Sequence, residues 1–154
     1  MSDPTLQGVR ALILDVDGVL YHAGQAIPGA AAALLEFRRR GYPVRLLTNI
    51  TRRSRATLAR HLQQMGLPVE PGEILTASYL TARYLQEHGR PRTWALLEGD
   101  GLDEFAGLEL AEDGAACIAL GDMAAKFTYD LLNRVLQALW RGAAFVVMQA
   151  DPYD

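Results

Sequence analysis

Two aspartates near the N-terminus, Asp15 and Asp17, have the type and spacing of groups that act on phosphate esters. They follow the apolar run 11–14 and precede Gly18, which lets the backbone turn sharply away. Side chains two residues apart on an extended chain point to the same side. Two clustered carboxylates repel each other unless a cation neutralises them, and Mg²⁺ prefers such oxygen ligands. The pair therefore predicts a Mg²⁺ site where Asp15 attacks phosphorus and Asp17 transfers protons.

Aspartate and glycine are also common in ordinary turns after strands, so the bare spacing leaves that alternative open. The longer context favours the functional interpretation, because the whole stretch 15–20 reads Asp-Val-Asp-Gly-Val-Leu directly after a buried apolar run.

Thr48 and Asn49 follow a second apolar run, residues 44–47. A hydroxyl and backbone N–H groups just past the end of a strand can hold phosphate oxygens. A capping threonine beside a turn asparagine is the competing interpretation. The position of the pair, one strand-helix unit after Asp15, favours a phosphate-binding role.

The elements that would position these residues alternate between strand and helix along the chain. This order predicts an α/β fold with parallel strands and right-handed crossovers. Predicted strands cover residues 11–14, 44–47, 93–97, 117–120 and 143–148, and predicted helices cover residues 28–40, 54–66, 78–88 and 128–141. Gly99, Asp100 and Gly101 are predicted to form a turn.

Composition narrows the classes of function. The 154 residues are half hydrophobic and carry a net charge of -3, which argues against a general nucleic-acid binder. No apolar run approaches the roughly 20 residues that cross a bilayer, so no membrane association is expected. Cys117 is the only cysteine, which suits a small buried residue and a reducing cytoplasm.

The chain resembles the haloacid dehalogenase superfamily, and within it the NagD-like phosphatases. Residues 15–20 match the first motif of that family, and Thr48 with Asn49 match the second. Residues 27–30 are similar to the family's entry to its first helix, and residues 127–147 are similar to part of its cap domain.

The resemblance implies a role for each matched residue. Asp15 would be the nucleophile and a metal ligand, and Asp17 the acid/base and a second ligand of Mg²⁺. Thr48 and Asn49 would bind the substrate phosphate. Residues 1–78 would form part of a Rossmann-like parallel-sheet core, and residues 79–154 part of an inserted α/β cap.

The chain departs from the family in lacking a motif lysine and a second acidic pair. Lys126 is its only lysine, and it lies in the cap-like region. The chain is therefore interpreted as the N-terminal part of a longer phosphatase, and by itself it is expected to be inactive or weakly active. A non-catalytic phosphate-binding or interaction module is the alternative. A signalling receiver domain ranks lower, because the second strand ends at Thr48 rather than at an aspartate.

The expected substrate is a small phosphorylated metabolite of the sugar phosphate or nucleotide monophosphate class. A parallel sheet without later strands would expose apolar edges, so a homo-oligomer is also expected.

Overall fold

The computed structural model describes residues 6–89 and 91–149. Within these residues strands and helices alternate, which confirms the α/β class. The strands are β1 (Leu12–Leu14), β2 (Tyr21–His22), β3 (Gln25–Ala26), β4 (Val44–Thr48), β5 (Ile74–Thr76), β6 (Thr93–Leu96), β7 (Cys117–Leu120) and β8 (Ala144–Val147). The α-helices are α1 (Ala30–Arg39), α2 (Arg55–Gln64), α3 (Ala77–Glu87) and α4 (Tyr129–Trp140).

The chain divides into two compact units. The first unit comprises Met1–Thr48 and Leu58–Leu75, and the second comprises Asn49–Thr57 and Thr76–Asp154. The division by residues 1–78 and 79–154 stays a prediction.

The first unit is built on a three-stranded sheet in the order β1-β4-β5. β1 and β4 are parallel, with Leu12 paired to Val44 and Leu14 paired to Leu46. Parallel neighbours end at the same edge of the sheet, so the residues that follow Leu14 and Leu46 leave it side by side.

One face of this sheet is buried and the other is open among the described residues. Val44 and Leu46 are buried, whereas Ile13 on β1 is 67% exposed and Leu47 on β4 is 43% exposed. The expectation that the first strand is buried on both faces is therefore wrong for the described chain, because β1 and β4 bury only alternate side chains.

Helix α1 begins two residues later than predicted, at Ala30 rather than at Pro28. Gly29 is its N-cap with a φ of 88°, and the helix buries Leu34. Glycine tolerates this left-handed conformation, which sets the direction in which the chain enters α1. At the other end of α1, Arg38 donates to both carboxylate oxygens of Glu73, at 2.9 and 2.7 Å.

The second unit is built on the parallel sheet β6-β7-β8. On one face, Leu85 of α3 packs in a cluster with Phe105 and with Cys117 of β7. On the other face, Leu131 and Ala138 of α4 form part of a second cluster, which also contains Trp94, Leu96, Ile118 and Met123. Strands β6 and β7 are therefore covered on both faces, as is usual for parallel strands, whereas β8 is largely exposed among the described residues.

Cys117 is 2% exposed, and burial raises the pKa of its thiol. The prediction of a buried cysteine is confirmed.

Threonine side chains begin two helices of the second unit. The Thr128 hydroxyl accepts from the Leu131 amide at 3.1 Å. For α3, Thr76 accepts from the Tyr79 amide at 3.1 Å. The helix begins at Ala77, one residue before its predicted start, because strand β5 runs directly into α3.

None of the helices in residues 6–89 and 91–149 is both long enough and apolar enough to cross a membrane.

Candidate active site

Asp15 is the first residue after β1, and its side chain is exposed. One carboxylate oxygen accepts from the Val16 amide at 2.7 Å. Val16 itself is 0% exposed, so the backbone immediately after Asp15 is fixed in the core of the first unit. Asp15 is thus an exposed side chain next to a buried residue, at the carboxyl end of a strand, where ligands bind in open α/β sheets.

Asp17 is held by Tyr21. The Tyr21 hydroxyl donates to Asp17 Oδ2 at 3.0 Å, and the Gly18 amide donates to the Tyr21 carbonyl at 2.8 Å. Gly18 has a φ of 72°, the left-handed conformation that suits glycine. The turn after Asp17 is therefore closed by both backbone and side-chain bonds.

Tyr21 contacts a predicted catalytic residue, and sequence reasoning missed this contact. It is 8% exposed, and its ring meets the His61 ring edge-on, with centroids 6.0 Å apart. The packing fixes the phenol, so its hydroxyl remains directed at Asp17. No sequence pattern predicts that a tyrosine four residues after an aspartate will bind it, so the contact is visible only in the folded structure.

Thr48 is the last residue of β4 and is 4% exposed. Leu14 and Leu46 are paired, so Asp15 and Thr48 lie one and two residues beyond the same rung of the sheet. Neighbouring strands are about 4.8 Å apart. The fold therefore brings the predicted nucleophile and the predicted phosphate-binding threonine to one edge of the first unit.

Asn49 follows Thr48 directly and is exposed. It begins the segment Asn49–Thr57, which belongs to the second unit. Its phosphate-binding role stays a prediction.

The donor set at this edge fits Mg²⁺. Asp15 and Asp17 offer carboxylate oxygens, which suit a cation that binds through one or two carboxylates and completes its shell with water and phosphate. Among the described residues there is no group of three or more histidine, cysteine, aspartate or glutamate side chains that could hold a metal. A closed site made entirely of protein ligands is therefore not present in this part of the chain.

The two arginines that closely follow Thr48 and Asn49, Arg52 and Arg53, have different surroundings. Arg52 pairs with Glu98 at 2.9 Å and lies 3.8 Å from Asp122. Lys126 pairs with the other oxygen of Glu98 at 3.1 Å. Arg53 is exposed. Of the two arginines that follow Thr48 and Asn49, Arg52 is thus engaged within the second unit.

Comparisons with known proteins agree with this geometry. A sequence model described as haloacid dehalogenase-like hydrolase matches residues 12–110. A phospholysine phosphohistidine inorganic pyrophosphate phosphatase of Xenopus laevis is 34% identical over 137 residues, covering 86% of this chain and 50% of that protein.

Two solved structures share the fold. NagD from E. coli K-12 superposes with a TM-score of 0.86 at 26% identity, covering 94% of this chain and 58% of that one. A p-nitrophenyl phosphatase from Archaeoglobus fulgidus superposes with a TM-score of 0.83 at 29% identity, covering 92% and 56%. The chain spans about half the length of the curated relatives it matches. With the family model covering most of the chain, and strand-end aspartates where the family's first motif requires them, this chain belongs to the haloacid dehalogenase-like hydrolase family and is NagD-like within it.

Proposed function

We propose that the protein is a Mg²⁺-dependent phosphatase that forms a phosphoryl intermediate on Asp15. The observation that carries this proposal is the shared sheet edge, where Asp15 follows β1 and Thr48 ends the adjacent parallel strand β4. A nucleophile and a phosphate-binding hydroxyl on rigid neighbouring strands can hold a phosphoryl group in line for attack.

The proposed reaction has two steps. An Asp15 carboxylate oxygen bonds to phosphorus as the ester P–O bond breaks, and Asp17 protonates the leaving oxygen. Asp17 then removes a proton from water, which attacks phosphorus, breaks the bond to Asp15 and releases inorganic phosphate. A bound Mg²⁺ would offset the negative charge that Asp15 and the phosphoryl group bring together.

The hydrogen bond from Tyr21 gives Asp17 a defined orientation for this work. At 3.0 Å it occupies one oxygen of Asp17 and leaves the other for proton transfer. The exposed side chain of Asp17 gives that second oxygen access to solvent and substrate.

The proposed substrate is a small phosphorylated metabolite, of the sugar phosphate or nucleotide monophosphate class. The named relatives include a p-nitrophenyl phosphatase and a phospholysine phosphohistidine inorganic pyrophosphate phosphatase. We also propose a cytoplasmic location, based on the single buried cysteine.

Self-association is a further part of the proposal. On α4 the side chains of Tyr129, Leu132, Leu136 and Trp140 are 83, 51, 42 and 79% exposed. Their spacing of three and four residues places them on one side of the helix. Such an apolar stripe is typical of a surface that another protein surface covers, and we propose that a second copy of the chain covers it.

The alternative is a non-catalytic phosphate-binding module. The described residues favour it in one respect, since they provide no third acidic side chain beside Asp15 and Asp17. Both proposals require Asp15-dependent binding of phosphate in the presence of Mg²⁺, and only the enzyme requires turnover.

The deciding experiment measures p-nitrophenyl phosphate hydrolysis and inorganic phosphate binding by the 154-residue chain with Mg²⁺. Turnover that is lost in Asp15→Asn supports the phosphatase. Phosphate binding without turnover supports the binding module. Turnover that survives Asp15→Asn contradicts the proposed nucleophile.

A further inference from the structure

The segment Asn49–Thr57 continues directly from Thr48 and is fixed within the second unit. We propose that Asp100 is a positioning residue for phosphate binding: it anchors this segment and so sets the orientation of the backbone that follows Thr48. The inference rests on the proposed function, because it assigns a purpose to the segment that the phosphate would contact.

The Asp100 carboxylate binds Ser54 twice. Oδ1 accepts from the Ser54 amide at 3.2 Å, and Oδ2 accepts from the Ser54 hydroxyl at 2.9 Å. Ser54 is 6% exposed, so these bonds form away from competing water. The two residues are 46 positions apart along the chain, which makes the contact a tertiary clamp rather than a local turn.

The ionised form of Asp100 is the one that this clamp requires. Burial raises the pKa of Asp100, but hydrogen bonds from the Thr57 side chain and from Ser54 outweigh it, and the pKa ends below its usual range. At neutral pH the group is therefore a carboxylate that only accepts hydrogen bonds.

The glycines on either side of Asp100 allow the close approach. A Cβ at Gly99 would overlap the Arg52 carbonyl oxygen, and a Cβ at Gly101 would overlap the Thr51 carbonyl oxygen. The Gly101 amide also donates to the Arg52 carbonyl at 3.3 Å. The predicted turn at residues 99–101 is in fact the start of a 3₁₀ helix, Gly99–Phe105, whose backbone lies against the segment.

Two further contacts fix the segment on either side of Ser54. The Thr51 hydroxyl accepts from the Asp122 amide at 3.0 Å. Thr51 as a whole residue is 3% exposed. Glu104 accepts from the Arg55 amide at 2.7 Å and from Arg55 Nε at 3.0 Å. Asp100 lies between these contacts, so its removal would free the centre of the segment while both neighbours remain.

The distance from the anchor to the phosphate-binding residues is short. Ser54 is only five residues after Asn49, and Thr51 is two residues after it. A chain held at residues 51 and 54 has few conformations left at residue 49. The Asp100 anchor and the Thr51 contact together therefore restrict the backbone that carries Asn49, and a misplacement of about 1 Å can cost as much as a hundredfold in a site of this kind.

The test compares Asp100→Asn with Asp103→Asn. Asp103 lies in the same 3₁₀ helix and is exposed, so its variant loses the same charge without touching the clamp. Hydrogen exchange is measured over residues 50–57, and the affinity for inorganic phosphate with Mg²⁺ is measured by calorimetry. We expect Asp100→Asn to exchange faster over residues 50–57 and to bind phosphate roughly tenfold more weakly. Asp103→Asn is expected to match the wild type in both measurements.

A milder variant covers the case in which Asp100→Asn unfolds the second unit. Ser54→Ala removes the hydroxyl bond and keeps the amide bond to Asp100. We expect it to show both effects in the same direction and to a smaller extent. A purely structural role would lower the fraction of folded protein and leave the phosphate affinity of the folded molecules unchanged, which would overturn the inference.

The failures of the two proposals are distinguishable. Unchanged exchange over residues 50–57 in Asp100→Asn overturns the anchor, whatever the wild type binds. Faster exchange with unchanged phosphate affinity overturns the positioning role. A wild-type chain that binds no phosphate overturns both the proposed function and the effect on affinity.

Discussion

Gly101→Ala tests how closely the backbone of residues 99–101 lies against the segment after Thr48. Gly101 is buried, and an added Cβ would overlap the Thr51 carbonyl oxygen and lie 2.9 Å from the Thr51 carbonyl carbon. Those atoms belong to backbone and cannot rotate away. Its third neighbour, Leu97 Cδ1 at 3.1 Å, is a side-chain atom that can shift.

The expected cost follows from two terms. Overpacking of a fixed interior costs about 1–3 kcal/mol. Moving the two backbone segments apart also weakens the hydrogen bond from the Gly101 amide to the Arg52 carbonyl, which contributes about 1 kcal/mol. We therefore expect Gly101→Ala to lower the free energy of unfolding of the second unit by about 2–4 kcal/mol.

Urea denaturation followed by tryptophan fluorescence measures this directly. The only two tryptophans, Trp94 and Trp140, both lie in the second unit, so their emission reports its unfolding. Gly107 serves as the control, because it lies in the same unit and has a φ of +90° in open space.

The control separates atomic overlap from backbone strain. Gly107→Ala is expected to cost about 1–2 kcal/mol from its left-handed conformation alone. A loss for Gly101→Ala smaller than that for Gly107→Ala would refute the close approach.

Three further predictions concern the site, acid stability and assembly. Tyr21→Phe keeps the ring packing and removes the bond to Asp17, and we expect kcat for p-nitrophenyl phosphate to fall about tenfold, equivalent to about 1.4 kcal/mol, with KM little changed; an unchanged kcat would contradict a role for the hydroxyl. The folded pKa of Asp100 is lowered, so its contribution to stability is present above the unfolded pKa of about 3.9 and is lost as pH falls through the lower folded value; acid titration of tryptophan fluorescence should show a flatter acid limb in Asp100→Asn, and identical limbs would argue against it. Leu136→Glu places a charge in the apolar stripe of α4, and sedimentation velocity should show a shift toward monomer; a wild type that is already monomeric at micromolar concentration would rule out the proposed self-association.

Local signals in the sequence were sufficient for much of the fold. Cys117–Leu120 was predicted with its observed bounds, because a short continuous apolar run is typical of a strand that is buried on both faces. The apolar spacing within residues 128–141 and the stop signal at Gly142 located α4 within one residue at each end. The α/β class and the parallel sheets follow from such local patterns and are confirmed.

Elements without a local signal were missed. Strand β5 lies just after Pro71 and Gly72, which read as an interruption, although pairing within the sheet makes Ile74–Thr76 a strand. The β2–β3 hairpin turns through Ala23 with a φ of 49°, a conformation that alanine rarely adopts and that no sequence rule would assign to it.

The candidate site divides in the same way. Asp15 and Asp17 are recognisable because their chemistry is concentrated in six consecutive residues, although their roles stay predictions. Tyr21 and Asp100 escaped notice because each acts through a partner that only the folded chain brings close. The hydrophobic periodicity of a sequence reports on one helix or strand at a time. The hydrogen bonds between Asp100 and Ser54 join two separate elements, so periodicity does not predict them.

The central claim is that Asp15 accepts a phosphoryl group, and acid-quenched peptide mass spectrometry tests it most directly. The protein is mixed with p-nitrophenyl phosphate and Mg²⁺, quenched within one turnover and digested. The account predicts one added phosphoryl group on the peptide that contains Asp15, and none on that peptide in Asp15→Asn. A phosphoryl group found on another residue, or hydrolysis that continues unchanged in Asp15→Asn, would contradict it.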